Sequence, residues 1–242
     1  MLILGIETAT EQVSVAIGGH EGVLGMFEVC RGRRHAETLT PAIQFVCQQA
    51  DIELAEIGLV AVDVGPGLFT GMRVGLAAGK ALAQALRVPM IGMSSLDLLA
   101  FPVRHTSRTI AAVIDARKGE LFYACYKPVP GGVQRVLEPR CGRVDDLIAD
   151  LMARGDDTIC VGDGALRYAD EIKNDLNCEF AEQFSSRPSA GPLVQLAHAR
   201  ALREDWVNPW EIHPLYLRLP DAQINWSSRV QGNTDATGGT VR

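Results

Sequence analysis

The residues best placed to do chemistry in this chain fall in one junction, Asp63-Val-Gly-Pro-Gly-Leu-Phe-Thr-Gly-Met-Arg73. Gly65 and Gly67 let the backbone take positive φ and let another group come close. Pro66 stiffens the turn. Thr70 is placed to cap a following helix, whose free N–H groups would attract an anion or a partner's carbonyl. Arg73 adds a cation suited to a carboxylate or a phosphate. An ordinary strand-to-helix turn has the same composition, so these residues alone leave both readings open.

Other reactive patterns are weaker. Gly75-Leu-Ala-Ala-Gly79-Lys80-Ala81 imitates a phosphate-binding loop, but it is one residue short, lacks Ser or Thr after Lys80 and lies within a helical run. Gly92-Met-Ser94-Ser-Leu96 lacks the second glycine of a nucleophile elbow, so Ser94 or Ser95 reads as a helix cap. The five histidines (20, 35, 105, 198 and 213) include no pair four residues apart, and Leu39 stands four beyond His35. The six cysteines are scattered without a Cys-x-x-Cys pair, which disfavours zinc and disulfide frameworks. Cys47 falls on an apolar helix stripe and reads as packing.

Composition narrows the classes. The 242 residues allow one large or two modest domains. Net charge is −6; residues 1–100 carry 6 Lys/Arg against 10 Asp/Glu, and residues 101–242 carry 17 against 19. Neither half has the basic footprint of a strong nucleic-acid binder, although Arg31-Gly-Arg33-Arg34-His35 is locally positive. No apolar run is long enough to span a membrane, and free thiols suit a reducing cytoplasm, where the chain is expected.

The elements that must position the junction follow from pattern. Leu2–Ile6, Val13–Ile17 and Val23–Val29 read as a meander of three strands, and a helix is expected over 35–50, with Pro41 weakening it unless it starts near Thr40. A strand over 57–64 enters the junction and a helix over 73–86 leaves it. Strand 88–93 and a short helix over 96–101 follow. A second block repeats the order: strands at 109–115, 120–126 and 133–137, a helix at 145–154, strand 158–162, a glycine turn, a helix at 165–176, and a last helix at 190–203. This predicts an α/β fold from a duplicated β-β-β-α-β-α unit, with residues 1–104 as a first lobe, 105–220 as a reduced second lobe with a returning helix, and 221–242 as a flexible tail.

One helix is unusual. Gly71, Gly75, Gly79 and Ala83 recur every four residues and share a face. Each helical glycine costs about 1 kcal/mol relative to alanine. Repeating that cost along one stripe implies a closely approaching backbone, belonging either to the same domain or to another subunit.

The strings Leu4-Gly-Ile-Glu-Thr8, Arg34-His-Ala-Glu37, Gly65-Pro-Gly-Leu-Phe-Thr-Gly-Met-Arg73, Asp115-Ala-Arg117 with Gly119-Glu120, and Pro214-Leu-Tyr-Leu-Arg218 resemble, in order, those of the TsaB (YeaZ) family. That resemblance implies the two-lobed ASKHA fold of actin, Hsp70 and sugar kinases. It implies a non-catalytic subunit for threonylcarbamoyl transfer to N6 of adenosine 37 in tRNAs reading ANN codons. The implied partners are a TsaD-like catalytic subunit and a TsaE-like ATPase, with tRNA reached only through the complex and a homodimer expected of the chain alone. The first-lobe helices are the implied partner surface, here His35, Leu39, Ile43, Cys47, Gly71, Met72, Gly75, Leu76, Gly79 and Ala83, with Gly75 and Gly79 permitting the approach. Glu7, Thr8, Gly65, Gly67, Thr70, Arg73, Asp115, Gly162 and Gly164 are the candidate contacts for a nucleotide, a phosphate or another anion, with ATP or ADP a matter for the assembled complex. The alternative is an ASKHA kinase, whose phosphate turns would be Glu7-Thr-Ala-Thr10 and Gly162-Asp-Gly164 with Asp115. Against it, Glu7 stands where an aspartate is usual and the first turn lacks glycine. No intrinsic cofactor or metal is expected.

Overall fold

The computed structural model of the chain describes residues 1–32 and 34–218, so the expected 221–242 tail lies outside the described residues. The chain opens with β1 (Leu2–Glu7), β2 (Gln12–Gly19) and β3 (Gly22–Cys30), then α1 (His35–Gln49), β4 (Ile57–Asp63), α2 (Phe69–Leu86), β5 (Met90–Met93) and α3 (Ser95–Ala100). It repeats with β6 (Thr109–Arg117), β7 (Glu120–Val129), β8 (Gly132–Gly142), α4 (Val144–Arg154), β9 (Thr158–Val161), α5 (Asp163–Arg167), α6 (Ala169–Asp175) and β10 (Cys178–Phe180), and α7 (Ala190–Ala201) follows. The strand orders are β3-β2-β1-β4-β5 and β8-β7-β6-β9-β10. They are one topology used twice, a meander extended by two parallel strands. The two five-stranded sheets thus repeat the order that the sequence pattern predicts.

Burial explains the element types. β1 and β4 pair in parallel and are buried along nearly their whole length, as strands covered on both faces must be. α1 and α2 cover one face, where Leu39, Ile43, Val46 and Leu76 meet Leu4, Ile6, Val60 and Val62. The other face is covered by α7, whose Leu193, Val194 and Ala197 pack on Ile3, Ala16, Leu59 and Ala61. α3 leaves the first lobe and sinks Leu96 and Leu99 among Ile110, Phe122 and Tyr126 of the second.

Local expectations are modified in four places. α1 runs through Pro41, which lies on the exposed face of the helix. α2 starts at Phe69, four residues before Arg73, and its N-cap is Leu68 with no side-chain cap; Thr70 sits inside the first turn instead of capping it. The expected helix over 165–176 breaks at Tyr168 into α5 and α6. β10 carries no apolar run and is held by pairing with β9 and by packing Cys178 and Phe180 against the core of the second sheet. Ser94 does cap α3, accepting from the Leu96 N–H at 3.3 Å.

The small-residue stripe of α2 faces its own sheet. A Cβ on Gly71 would strike the Thr8 carbonyl oxygen, one on Gly75 the Thr8 hydroxyl, and one on Gly79 would lie 2.5 Å from Val62 Cγ1. The glycines therefore admit the strand backbone, the same-domain alternative, and are closed to a second chain. The Thr8 hydroxyl donates to the Gly71 carbonyl at 2.8 Å, a contact possible only at this spacing. Gly75→Val is expected to lower unfolding free energy by about 1–3 kcal/mol or more through overpacking. Chemical denaturation checks it; a variant as stable as the parent would contradict the packing described.

Candidate functional site

The ends of β1 and β4, the 64–68 junction, the β6–β7 turn and the start of α5 meet between the lobes. Glu7 ends β1 and Asp63 ends β4, one position beyond the paired Ile6 and Val62. Both are buried, Glu7 fully. Glu7 Oε1 accepts from the N–H groups of Ala9 (2.8 Å) and Thr10 (3.3 Å); Asp63 Oδ1 accepts from the Gly65 N–H and the Ser95 hydroxyl, both at 2.7 Å. The second oxygen of each carboxyl, Glu7 Oε2 and Asp63 Oδ2, has no partner and no exposure to water. Burial, then the neighbouring Asp63, pushes Glu7 well above the usual carboxylate range. Burial pushes Asp63 up to about 7, against the pull of its Ser95 and Gly65 hydrogen bonds. These two acids are built to hold protons.

Little open space remains between these elements among the described residues. The cavity measures ≈ 20 Å³, bounded by Ala9, Thr10, Gly67, Leu68, Asp115 and Arg117. Ligand pockets for drug-sized molecules run to about 300–1,000 Å³. Three contacts close it. The Leu68 N–H donates to the Ala9 carbonyl at 2.6 Å. Gly67 lies so close that a Cβ would strike the same carbonyl oxygen. Arg117 of the second lobe pairs with Glu11 of the first at 2.5 Å.

The residues expected to contact an anion are otherwise engaged. Asp115 Oδ2 pairs with Arg167 at 2.7 Å and Oδ1 accepts the Arg117 N–H at 2.9 Å, so its charge is neutralised within the lobe. Gly162 and Gly164 admit the backbone of β6, with a Cβ on the first striking the Val113 carbonyl oxygen. Gly65, at φ +98°, shapes the turn. Thr8 is spent on Gly71. Of the set, Thr70 and Arg73 are exposed, away from the cleft.

The expected partner residues need the same correction. His35, Leu39, Ile43, Gly71, Met72, Gly75, Leu76, Gly79 and Ala83 are buried within the lobe, and Cys47 is half-buried with its thiol pushed up by burial. His35 Nε2 donates to the Thr10 carbonyl at 2.7 Å and pins the β1–β2 turn. What α2 turns outward is a second small stripe, Ala77, Ala81 and Ala85, preceded by Arg73 on the same side. At its head is a surface cluster the sequence pattern did not single out. The Arg73 guanidinium lies 3.8 Å over the Phe69 ring and its Nε donates to the Tyr216 hydroxyl at 3.1 Å; the two rings sit 5.3 Å apart. Tyr216 comes from the far end of the chain, so only the quoted Pro214-Leu-Tyr-Leu-Arg218 string signalled it.

The family model for the tRNA N6-adenosine threonylcarbamoyltransferase TsaD matches residues 25–226. The chain is 32% identical over 221 residues to the tRNA threonylcarbamoyladenosine biosynthesis protein TsaB of Escherichia coli, covering 90% of this chain and 95% of that one. The chain belongs to the TsaB (YeaZ) family. A TsaB of Bacillus subtilis is 26% identical across 93% of this chain and 98% of its own. The solved YeaZ of Pseudomonas aeruginosa superposes with a TM-score of 0.78 at 25% identity, covering 89% of this chain and all of that one. This TsaB-family chain thus shares the architecture of a solved member along nearly its whole described length. Among its described residues no three His, Cys, Asp or Glu side chains converge as metal ligands, and no helix is long and apolar enough to cross a membrane.

The acid pair makes stability depend on pH. Both carboxyls are protonated in either state well below pH 4. As pH rises, the unfolded chain ionises first, near pH 4, while the fold keeps its protons. Stability therefore falls from about pH 4 until Asp63 ionises in the fold near 7. Glu7→Gln keeps the acceptor for Ala9 and Thr10 and presents an N–H₂ toward Asp63. It is expected to melt above the parent at pH 8 and close to it at pH 4.5. Parallel thermal melts check this; a parent no more sensitive to pH than the variant would contradict it.

Proposed function

We propose that this chain is a subunit of the machinery that makes threonylcarbamoyladenosine in tRNA, and that it works by binding, with no bond chemistry of its own. Family membership supports the pathway. The observation that carries the mode of action is the division of labour on α2: its glycines hold the sheet and its alanines face water.

In this reading the outward face of α2 docks on a TsaD-like catalytic subunit. Ala77, Ala81 and Ala85 let a partner helix come close without displacing large side chains. Arg73, Phe69 and Tyr216 at one end supply the aromatic and guanidinium anchors that dominate binding energy in interfaces. Arg73 spends only Nε on Tyr216, leaving its terminal nitrogens for a partner carboxylate or carbonyl. Alone, the same face would pair two copies of the chain. A TsaE-like ATPase would join the assembly, and any nucleotide would be held there by the other subunits, since the cleft of this chain is closed. An overall charge of −6 agrees with tRNA being met only through the complex, in the cytoplasm. The kinase alternative loses its support with the neutralised Asp115 and the filled first turn.

The doubly substituted Ala77→Glu/Ala81→Glu chain is expected to keep its melting temperature within a few degrees and to elute separately from the catalytic subunit, with tRNA modification in the reconstituted system falling at least ten-fold. Size-exclusion chromatography of the mixed subunits reads it. Co-elution at the parental affinity would remove the proposal.

A further inference from the structure

A second surface of α2 carries a different assignment. Lys80, Gln84 and Arg87 recur along the flank of α2 away from Val74, Ala78 and Leu82 and form one wall of a groove of ≈ 1040 Å³. The opposite wall is the 206–211 segment, which brings Trp206 and Trp210, and the floor is apolar, with Val88 and Val207. We propose that this groove docks an extended acidic peptide segment of a partner protein, at a site separate from the alanine face.

Charge is the first argument. Neither Lys80 nor Arg87 has an ion-pair partner among the described residues, whereas eight of the sixteen described arginines do. The one carboxylate in the groove, Glu211, is taken up by the N–H of Asn208 (3.3 Å) and its side-chain amide (3.4 Å). The groove is therefore a local positive site facing solvent, complementary to carboxylates.

Exposed indoles are the second. Trp206 is 37% and Trp210 69% exposed, two of the three tryptophans in the chain within five residues. Indole surface left bare beside unpaired cations is the composition of an interface anchor.

Geometry selects a peptide over a small anion. Lys80 and Arg87 are two helical turns apart, about 10 Å along α2. About three residues of extended chain span that length, and the groove of ≈ 1040 Å³ is far larger than a single phosphate fills. The first residue of the β5 edge is already taken, because Met90 and Val207 exchange both backbone hydrogen bonds, at 2.9 and 3.0 Å. The peptide is thus read by side chains, with acids on the α2 wall and an apolar residue between the indoles.

The test uses the full chain and a fluorescein-labelled decapeptide of alternating acidic residues and leucine. A control peptide carries lysine in place of each acid. The expected result is saturable anisotropy with the acidic peptide alone, weakened at least ten-fold in Lys80→Glu/Arg87→Glu and again in Trp210→Ala. All three positions are at or near the surface, and unchanged melting curves would show that the fold persists. Trp210→Ala lies outside α2 and leaves its alanine face untouched, so that variant should still co-elute with the catalytic subunit; failure of this proposal is thereby separable from failure of the one above. Equal binding by parent and variants, no binding of the acidic peptide, or its displacement by millimolar inorganic phosphate would overturn the assignment. So would concentration-dependent self-association abolished by the same charge reversals, which would give the groove to a second copy of the chain.

Discussion

The close approach of α2 to β1 and β4 is the contact on which the rest of this molecule depends. Three glycines at four-residue spacing lower the helix onto the strands until the Thr8 hydroxyl meets the Gly71 carbonyl. Helical glycine is intrinsically unfavourable by about 1 kcal/mol per residue, so the packing it permits must more than offset that cost. The approach also fixes where the helix begins. Leu68 is drawn onto the Ala9 carbonyl, and the 64–68 junction is pressed against the β1–β2 turn.

That position decides what the interlobe cleft can do. The turn is filled from within by Gly67 and Leu68, and from across the cleft by Arg117 on Glu11. The two acids at the strand ends are cut off from water, and burial pushes both above the usual carboxylate range. The cleft has become a structural joint. It is reinforced by the C-terminal segment, where the Leu215 N–H donates to the Val64 carbonyl at 2.7 Å and Arg218 pairs with Glu120 at 2.7 Å. Polar groups around the cleft are spent on contacts between the two sheets' loops.

The sequence disclosed much of this, and its omissions are instructive. β1 and β4 are legible because buried parallel strands are continuous apolar runs. The glycine stripe is legible as a close approach, because period alone places 71, 75 and 79 on one face. Period does not name the neighbour, and this one proved to be the strand beneath. The outward alanines were visible in the same helix but carried no comparable signal, since alanine is the best helix former wherever it stands. Closure of the cleft was not legible: it rests on Ala9 with Leu68 and Glu11 with Arg117, pairs that only the folded chain brings together. Nor was the groove beside Trp206 and Trp210, whose two walls come from distant parts of the chain.

The account reduces to a helix with two assigned faces, one committed to the fold and the other free for a TsaD-like subunit. Site-resolved thiol labelling separates them most directly. Ala77→Cys and Ala81→Cys chains are treated with a maleimide, alone and with the catalytic subunit in excess, and labelling at the introduced thiol is followed by mass spectrometry. The account predicts fast labelling of the free chain and at least ten-fold protection in the complex. An intact complex in which both positions label at the free rate would contradict it.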